Sequence, residues 1–252
     1  MNNIHPKFAD KLLSAKDVYC DYETVSISKE EGGFLTQLIT ENSYSTTIEV
    51  GCALGLSSLY ICDAISKFPN HSHTILDPAQ QSLYNNIGLK NLEANGYDFF
   101  TFIEEYSEIA LPKLLSEGKK YDFGFIDGWH TFDHTLIDFF YLNRMVKVGG
   151  MIVFDDADWP SVTKLLRYLG QYPSYEVILP KFSKNKNNSV TIKQQLFKMM
   201  SFGAKIIPEK QRKELFSERI VKNQYKRVKL PSVVALKKIS EDNRDWKWYK
   251  EF

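Results

Sequence analysis

Acidic side chains stand at the ends of several predicted strands in this 252-residue chain. Glu49 ends the first predicted strand, Asp77 the second and Asp127 a later one, and Asp155 and Asp156 end the strand after that. The carboxyl ends of parallel strands meet at one edge of an open sheet, and ligands bind there, where the strand order reverses. These carboxylates are therefore predicted to line one crevice, where they can accept hydrogen bonds from hydroxyl groups or hold a cation.

A glycine loop connects Glu49 to an apolar helix, in the sequence Glu49-Val-Gly51-Cys-Ala-Leu-Gly55. Glycines adopt backbone conformations that other residues rarely adopt, and they let a ligand approach the main chain. The helix that follows offers free N–H groups at its positive end. This combination predicts a nucleotide-cofactor site. Because the glycines are four residues apart, the loop departs from the dinucleotide pattern G-x-G-x-x-G, which argues against a nicotinamide dehydrogenase.

The elements that must position these residues follow from the hydrophobic pattern. Apolar runs alternate with amphipathic ones from residue 46 to about 180, which predicts an α/β fold with a parallel sheet between helices. The predicted strands are Thr46–Val50, Thr74–Asp77, Phe99–Ile103, Tyr121–Ile126, Met151–Phe154 and Tyr175–Leu179. The run Lys147-Val-Gly-Gly150 is predicted to be a turn.

The length of the chain favours a single domain over residues 1–252. Residues 1–45 are predicted to form a helical cover over the cofactor or acceptor site, with helices at about Pro6–Ala15 and Lys29–Asn42. At the other end, an aromatic tail carries Trp246, Trp248, Tyr249 and Phe252. We expect it to pack back onto the body, because it would otherwise expose a sizeable apolar patch.

A basic region follows the strand predicted at Tyr175–Leu179. Strand character resumes at Tyr225–Lys237, so this region separates the last two predicted strands. Residues 181–230 carry fourteen lysines and arginines against three glutamates, although the whole chain has a net charge of only +1. Apolar residues at helical spacing predict a basic helical insertion at 181–225. Its apolar face could form a substrate lid or a homodimer contact, and its charge could dock the protein on an anionic lipid surface.

The bulk composition indicates a soluble cytoplasmic protein. The three cysteines have no metal-ligand spacing, and their odd number does not suggest a disulfide framework. The chain shows no start of the signal-peptide type and no apolar run of about 20 residues, so neither secretion nor membrane spanning is expected.

The glycine loop and the later acids together resemble the class I S-adenosylmethionine-dependent methyltransferases. The resemblance implies a doubly wound, mostly parallel seven-stranded Rossmann-like sheet whose last strand is antiparallel. Asp77, 28 residues after Glu49, stands where that family holds the ribose hydroxyls, and Ala53 stands where it commonly has a middle glycine. The residues expected to bind S-adenosylmethionine are Glu49, Gly51, Ala53, Gly55, Ser57, Asp77, Ser107 and Asp127.

Two further segments, Phe125-Ile-Asp-Gly-Trp-His130 and Gly149-Gly-Met-Ile-Val-Phe-Asp-Asp156, resemble the metal-dependent O-methyltransferases. This group includes catechol O-methyltransferase and the macrolide-sugar and cephalosporin-tailoring enzymes, and the resemblance covers about residues 25 to 180. It implies that Asp127, Asp155 and Asp156 bind Mg²⁺, a cation that prefers hard oxygen ligands. A hydroxyl on the metal becomes more acidic, so its oxygen attacks the sulfonium methyl group more readily.

The resemblance also suggests roles beside the metal. His130 stands where the catechol enzyme carries its proton acceptor, a lysine, and an imidazole is suited to removing a hydroxyl proton. Asp127 and His130 are therefore the expected catalytic residues, while Trp129 and Trp159 are expected to contact the substrate. His134 and Asp138 lie four residues apart on the next helix and are expected to form a surface pair.

The function predicted from the sequence is Mg²⁺-assisted O-methylation of a hydroxyl on a small molecule, sugar or glycan. One alternative keeps the fold but omits the metal, with His130 as the base and oxygen or nitrogen as the acceptor. Another is a non-catalytic binding protein that docks on an anionic surface through residues 181–230. Nucleic acid is not an expected substrate, because no Asn/Asp-Pro-Pro-Tyr tetrapeptide follows the fourth strand.

Overall fold

The computed structural model describes residues 6–181 and 230–250. In this part of the chain, seven strands form one sheet. The strands are β1 (Thr46–Val50), β2 (Ser72–Leu76), β3 (Phe100–Ile103), β4 (Tyr121–Ile126), β5 (Val146–Phe154), β6 (Tyr175–Ile178) and β7 (Val234–Lys238). The helices are α1 (Pro6–Ala9), α2 (Tyr22–Val25), α3 (Lys29–Asn42), α4 (Leu56–Ile65), α5 (Gln80–Tyr84), α6 (Ile87–Ala94), α7 (Ser107–Ser116), α8 (Phe132–Met145) and α9 (Pro160–Leu169).

The strand order is β3-β2-β1-β4-β5-β7-β6, and β7 runs antiparallel to both of its neighbours. Strand β1 pairs in parallel with β2 on one side and with β4 on the other. The strand order therefore reverses between β1 and β4, and their carboxyl ends form the crevice that such a switch point creates. The predicted fold class is confirmed, including the antiparallel last strand.

The two faces of the sheet bury different apolar clusters. On β1, Ile48 and Val50 belong to the cluster beneath α7, α8 and α9, whereas β4 sends Phe123 and Phe125 into the cluster beneath α3 and α4. Successive side chains of a strand point to opposite faces, so strands buried on both faces read as nearly continuous apolar runs. This burial holds the strand ends, and hence the acids, in fixed register.

Helix α3 has a well-defined beginning and a close contact with α4. The Ser28 side chain accepts a hydrogen bond from the Glu31 backbone, and the Glu31 side chain accepts one from the Ser28 backbone, which together form a capping box. Further along, a Cβ atom at Gly32 would collide with the ring of Tyr60 on α4. The glycine therefore sets how closely the two helices pack.

Several predicted boundaries differ from those observed. The first helix ends at Ala9 instead of about Ala15. The turn predicted at Lys147–Gly150 is wrong, because this segment is an irregularity inside β5: Val146 and Met151 both pair with β4, and Gly149 adopts a positive φ of 89° between them. An extra length of chain can bulge out of a ladder in this way while both ends stay paired.

The C-terminal tail packs in part. Trp248 contacts the rings of Tyr168 and Tyr172, whereas the side chain of Trp246 is 89% exposed and that of Tyr249 is also exposed. The predicted insertion at 181–225 falls almost wholly outside the described residues. The division into a cover, a body and an insertion stays a prediction.

Candidate active site

The cofactor loop, residues 51–55, turns the chain from β1 into α4 with three left-handed backbone conformations. Gly51 has a φ of 89°, Ala53 of 46° and Gly55 of 81°. A Cβ atom at Gly51 would collide with the backbone carbonyl of Asp127, which follows β4. Only glycine fits at this position, so the loop lies directly against Asp127.

Asp77, at the end of β2, is bound to the cofactor loop. Its Oδ2 accepts hydrogen bonds from the backbone N–H groups of Cys52, at 3.0 Å, and Ala53, at 2.9 Å. Its Oδ1 accepts a hydrogen bond from the Ala79 backbone at 2.8 Å. The carboxylate therefore holds the loop in its conformation, a role that the sequence did not suggest.

Two buried amides complete the support of this loop. Gln80 Nε2 donates to Ala53 O at 2.7 Å and to Asp77 Oδ2 at 3.0 Å. Asn91 Nδ2 donates to Leu54 O at 2.9 Å. Both side chains are fully buried and were missed from the sequence, because a single polar residue on a helix has no periodic signature.

Glu49 lies beneath the loop and is shielded from solvent. Its Oε2 accepts a hydrogen bond from Ser58 on α4 and lies 3.2 Å from His73 Nε2 on β2. His73 Nδ1 in turn lies 2.8 Å from Thr47 Oγ1. The structure thus places Glu49 in a polar network inside the sheet–helix layer, and its predicted contact with the cofactor stays a prediction.

The acidic cluster, Asp127, Asp155 and Asp156, forms where β4 and β5 end. The carboxyls of Asp127 and Asp155 lie close enough to affect each other's pKa. Burial and the neighbouring Asp155 raise the pKa of Asp127 well above its ordinary value. Burial, with the nearby charge of Glu31, raises the pKa of Asp155 to about 7. The pKa of Asp156 rises to about 6, chiefly through burial.

His130 joins this cluster from the loop after β4. Its Nε2 lies 3.4 Å from Asp156 Oδ2 and 3.7 Å from Asp127 Oδ1. Burial lowers the pKa of the imidazole, so the neutral form predominates near pH 7. A neutral imidazole within reach of two carboxyls can accept a proton. The structure therefore brings together the residues predicted to act as base and as metal ligands.

Among residues 6–181 and 230–250, no group of three His, Cys, Asp or Glu side chains stands ready to hold a metal ion. The chemistry of the donor set nevertheless fits a hard divalent cation. Asp127 and Asp155 can hydrogen bond to each other only if one of them keeps a proton, and a cation in its place would relieve the repulsion between them.

Two tryptophans flank the acidic cluster. Trp129 is 70% exposed, and Trp159, at the start of α9, is 51% exposed. The rings of His130 and Trp159 lie 5.4 Å apart. These indoles are not buried in the described core, so they are available to a ligand at the crevice.

Ser107, the first residue of α7, lies close enough to Asp138 on α8 to favour the charged form of that carboxyl. Asp138 is only 1% exposed, so the prediction that His134 and Asp138 form a surface pair is wrong for Asp138. The α8 face that carries Asp138 turns toward α7 and the core, where Phe139 and Leu142 are also buried. The predicted contact of Ser107 with the cofactor stays a prediction.

Comparisons with known proteins agree with this geometry. A sequence family described as a methyltransferase domain matches residues 48–157, which include most of β1, the cofactor loop, Asp77 and the acidic cluster. Tapetum-specific methyltransferase 1 of Arabidopsis thaliana is 29% identical over 172 residues, spanning 66% of this chain and 70% of that protein. Caffeoyl-CoA O-methyltransferase 2 of Petunia hybrida is 26% identical over 195 residues, spanning 71% and 76% respectively.

A solved structure shares the fold. The O-methyltransferase from Bacillus cereus in complex with S-adenosylhomocysteine superposes with a TM-score of 0.52 at 18% identity, covering 68% of this chain and 78% of that one. In the part of the chain that the structure describes, no helix has the length and apolar character needed to cross a membrane.

Proposed function

We propose that this chain, a class I S-adenosylmethionine-dependent methyltransferase similar to the caffeoyl-CoA O-methyltransferases, transfers the methyl group to a hydroxyl oxygen of a small molecule or glycan. The observation that carries the proposal is the close approach of Gly51 to Asp127. Because the loop that holds the methyl donor lies against the acidic cluster, a hydroxyl held by that cluster would be next to the donor. Such positioning supplies much of the rate acceleration of a transfer between two bound molecules.

The cofactor would bind along the loop and the neighbouring helix ends. Asp77 Oδ1 accepts one hydrogen bond in the described part of the chain, from Ala79, so it retains capacity for a ribose hydroxyl. The N-terminus of α4 has no side-chain cap, and its N–H groups together with Ser57 suit the carboxylate of the cofactor. Ser107, at the start of α7, would border the adenine.

Asp127, Asp155 and Asp156 would hold Mg²⁺, which supplies acidity to a bound hydroxyl. His130 would take the hydroxyl proton, and the distance of 3.4 Å between its Nε2 and Asp156 Oδ2 supports this role, because it puts the imidazole at the acidic cluster. The exposed faces of Trp129 and Trp159 would position the acceptor, as aromatic side chains commonly do in ligand sites.

Calorimetric titration of S-adenosylhomocysteine into the wild-type protein tests the cofactor assignment. Saturable binding is the expected result, because Asp77, Gln80 and Asn91 hold the loop in one conformation. Absence of binding by the folded protein would contradict the proposal that this chain uses S-adenosylmethionine as its methyl donor.

Thermal unfolding with and without Mg²⁺ tests the metal assignment separately, without knowledge of the acceptor. We expect Mg²⁺ to raise the midpoint of the wild type, since a ligand that binds only the folded state stabilises it. Asp155→Asn should remove most of this increase. Asp133→Asn is the matched control, because the Asp133 side chain is 76% exposed on the next helix and outside the cluster. An equal response in all three proteins would contradict a metal at this site and leave His130 as the base without one.

A further inference from the structure

We propose that Asn91 and Tyr22 couple the N-terminal segment, residues 6–28, to the cofactor loop, so that cofactor binding and docking of this segment reinforce each other. Asn91 acts in this scheme as a positioning residue. The inference rests on the proposed function, which assigns residues 51–55 to S-adenosylmethionine. It adds that the affinity for the cofactor depends on a segment outside the crevice.

The Asn91 side chain uses both ends of its amide to link these parts of the chain. Its Oδ1 accepts a hydrogen bond from Leu13 N at 2.9 Å. Its Nδ2 donates to Leu54 O, in the cofactor loop, at 2.9 Å and to Tyr22 Oη at 2.7 Å. Tyr22 Oη then donates to Leu13 O at 3.0 Å. Asn91, Leu13 and Tyr22 thus form a closed ring of hydrogen bonds attached to the loop.

The close packing of α6 against the cofactor loop makes this contact possible. A Cβ atom at Gly55 would lie 2.6 Å from Gly88 O, and a Cβ atom at Gly88 would lie 2.5 Å from Ala53 O. Neither position can carry a side chain without moving the backbone of the other element. Because Asn91 follows Gly88 by one helical turn, it reaches the loop and faces the N-terminal segment at the same time.

The N-terminal segment also contacts the helix that follows Asp77. Tyr19 N donates to Leu83 O at 3.1 Å, and Asn85 Nδ2 donates to Asp17 O at 3.4 Å. The segment therefore contacts α5, which begins three residues after the acid predicted to hold the ribose, as well as the loop.

A change at one end of this network must affect the other. Asn91 is fully buried, and an unsatisfied buried amide is costly, so the loop and the segment keep their positions together. If cofactor binding stabilises the loop conformation that Asn91 recognises, it also stabilises docking of the segment. Thermodynamic linkage then requires that undocking the segment weakens cofactor binding by the same factor.

Tyr22→Phe is the variant that tests this coupling, because it removes one hydroxyl from the ring of hydrogen bonds and keeps the aromatic packing. The hydroxyl makes two of the hydrogen bonds in the ring, from Asn91 and to Leu13. We expect their loss to weaken S-adenosylhomocysteine binding about 3- to 10-fold. Hydrogen exchange of the backbone amides in residues 10–25 should slow when the wild type binds S-adenosylhomocysteine, and this protection should decrease in the variant.

Tyr175→Phe is the matched control. Tyr175 on β6 is a buried tyrosine whose hydroxyl, like that of Tyr22, hydrogen bonds to an asparagine side chain: it donates to Asn143 Oδ1 at 2.8 Å. It lies in the cluster beneath α8 and α9, on the opposite face of the sheet from α6. We expect it to lower stability and to leave the affinity for S-adenosylhomocysteine unchanged.

A second variant tests the Asn91 contact directly. Asn91→Asp keeps an acceptor for Leu13 N and removes both donors, so it should weaken binding more than Tyr22→Phe. If Asn91→Asp does not fold, the Tyr22→Phe variant alone tests the coupling. The coupling would be overturned if the wild type binds S-adenosylhomocysteine and Tyr22→Phe shows the same affinity and the same protection of residues 10–25 from hydrogen exchange. The proposed function would then remain intact. No binding by the wild type would overturn both.

Discussion

Asp138 shows how a single buried acid can make the stability of this protein depend on pH. Burial raises the pKa of its carboxyl to about 6, and the nearby Ser107 side chain opposes this effect. His134 on the same helix and Glu108 on α7 are the charged neighbours, and their effects oppose each other. The folded state therefore binds a proton on Asp138 at pH values where the unfolded chain has already lost it.

The sign of the resulting pH dependence follows from this difference. Between pH 4 and about 6 the folded protein holds more protons at this site, so the free energy of unfolding falls as the pH rises and stays lower above pH 6. In Asp138→Asn this contribution is absent. We expect the difference in unfolding free energy between wild type and variant to change by roughly 2–3 kcal/mol from pH 4 to pH 8. Urea unfolding at several pH values measures it, and parallel curves for the two proteins would refute the prediction.

At the residue scale, the sequence predicted the acids better than their supports. Asp127, Asp155 and Asp156 could be expected to lie together because each follows an apolar run, and His130 because it comes three residues after Asp127. Gln80 and Asn91 could not, because what defines them is a partner distant in the chain: Asn91 and Leu13 are 78 residues apart. Hydrophobic periodicity reports which face of a helix is buried and carries no information on which polar groups meet there.

Helix α3 allows an element-scale prediction from two adjacent glycines. Gly32 faces α4, and its Cβ atom would collide with the Tyr60 ring, whereas a Cβ atom at Gly33 would meet nothing within 4 Å. Both residues lie one turn inside the helix, so the change to alanine gives each a similar gain in helix propensity. Gly33→Ala should stabilise the protein by about 0.5–1 kcal/mol. Gly32→Ala should destabilise it by about 1–3 kcal/mol through overpacking.

Thermal or urea unfolding of the two glycine variants measures these effects. Because the substitution is the same and the positions are adjacent, helix propensity cancels in the comparison, and the difference between the variants reports the packing of α3 on α4. Equal stabilities for the two variants would mean that α3 does not pack on α4 as the structure shows.

Element boundaries were predicted well where the sequence carries local signals and poorly where pairing decides them. The bounds of α3 were correct, and the capping box at Ser28 and Glu31 is a local signal of its start. The irregularity in β5 was missed, because glycines that interrupt an apolar run look the same in a turn and in a bulge. Only the pairing of Val146 and Met151 with β4 distinguishes the two.

For the whole molecule, the alternation of apolar and amphipathic runs predicted the sheet. It did not predict the polar network beside β7, near the β6 edge of the sheet. Lys238, almost fully buried at the end of β7, donates to the backbone carbonyls of Asn143 and Val146 and pairs with Glu241. Asn143 also donates to Asp242, which pairs with Arg244. A buried lysine must be satisfied by such partners, and they connect the tail to α8 and β5.

The tail itself provides the last prediction. Arg244 stacks over the Tyr172 ring at 3.3 Å and lies 4.5 Å from the Trp248 ring, and the rings of Trp248 and Tyr172 lie 5.3 Å apart in a T-shaped arrangement. Trp248→Ala should therefore lower the free energy of unfolding by about 1–3 kcal/mol, through lost apolar burial and cation–π contact. Trp246→Ala removes an equal side chain that is 89% exposed, and it should change stability by less than about 0.5 kcal/mol. Urea unfolding of both variants is the measurement.

Because the tail packs on the face away from the cofactor loop, neither substitution should alter S-adenosylhomocysteine binding at temperatures where the protein is folded. Equal losses of stability would mean that the tail does not dock through Trp248.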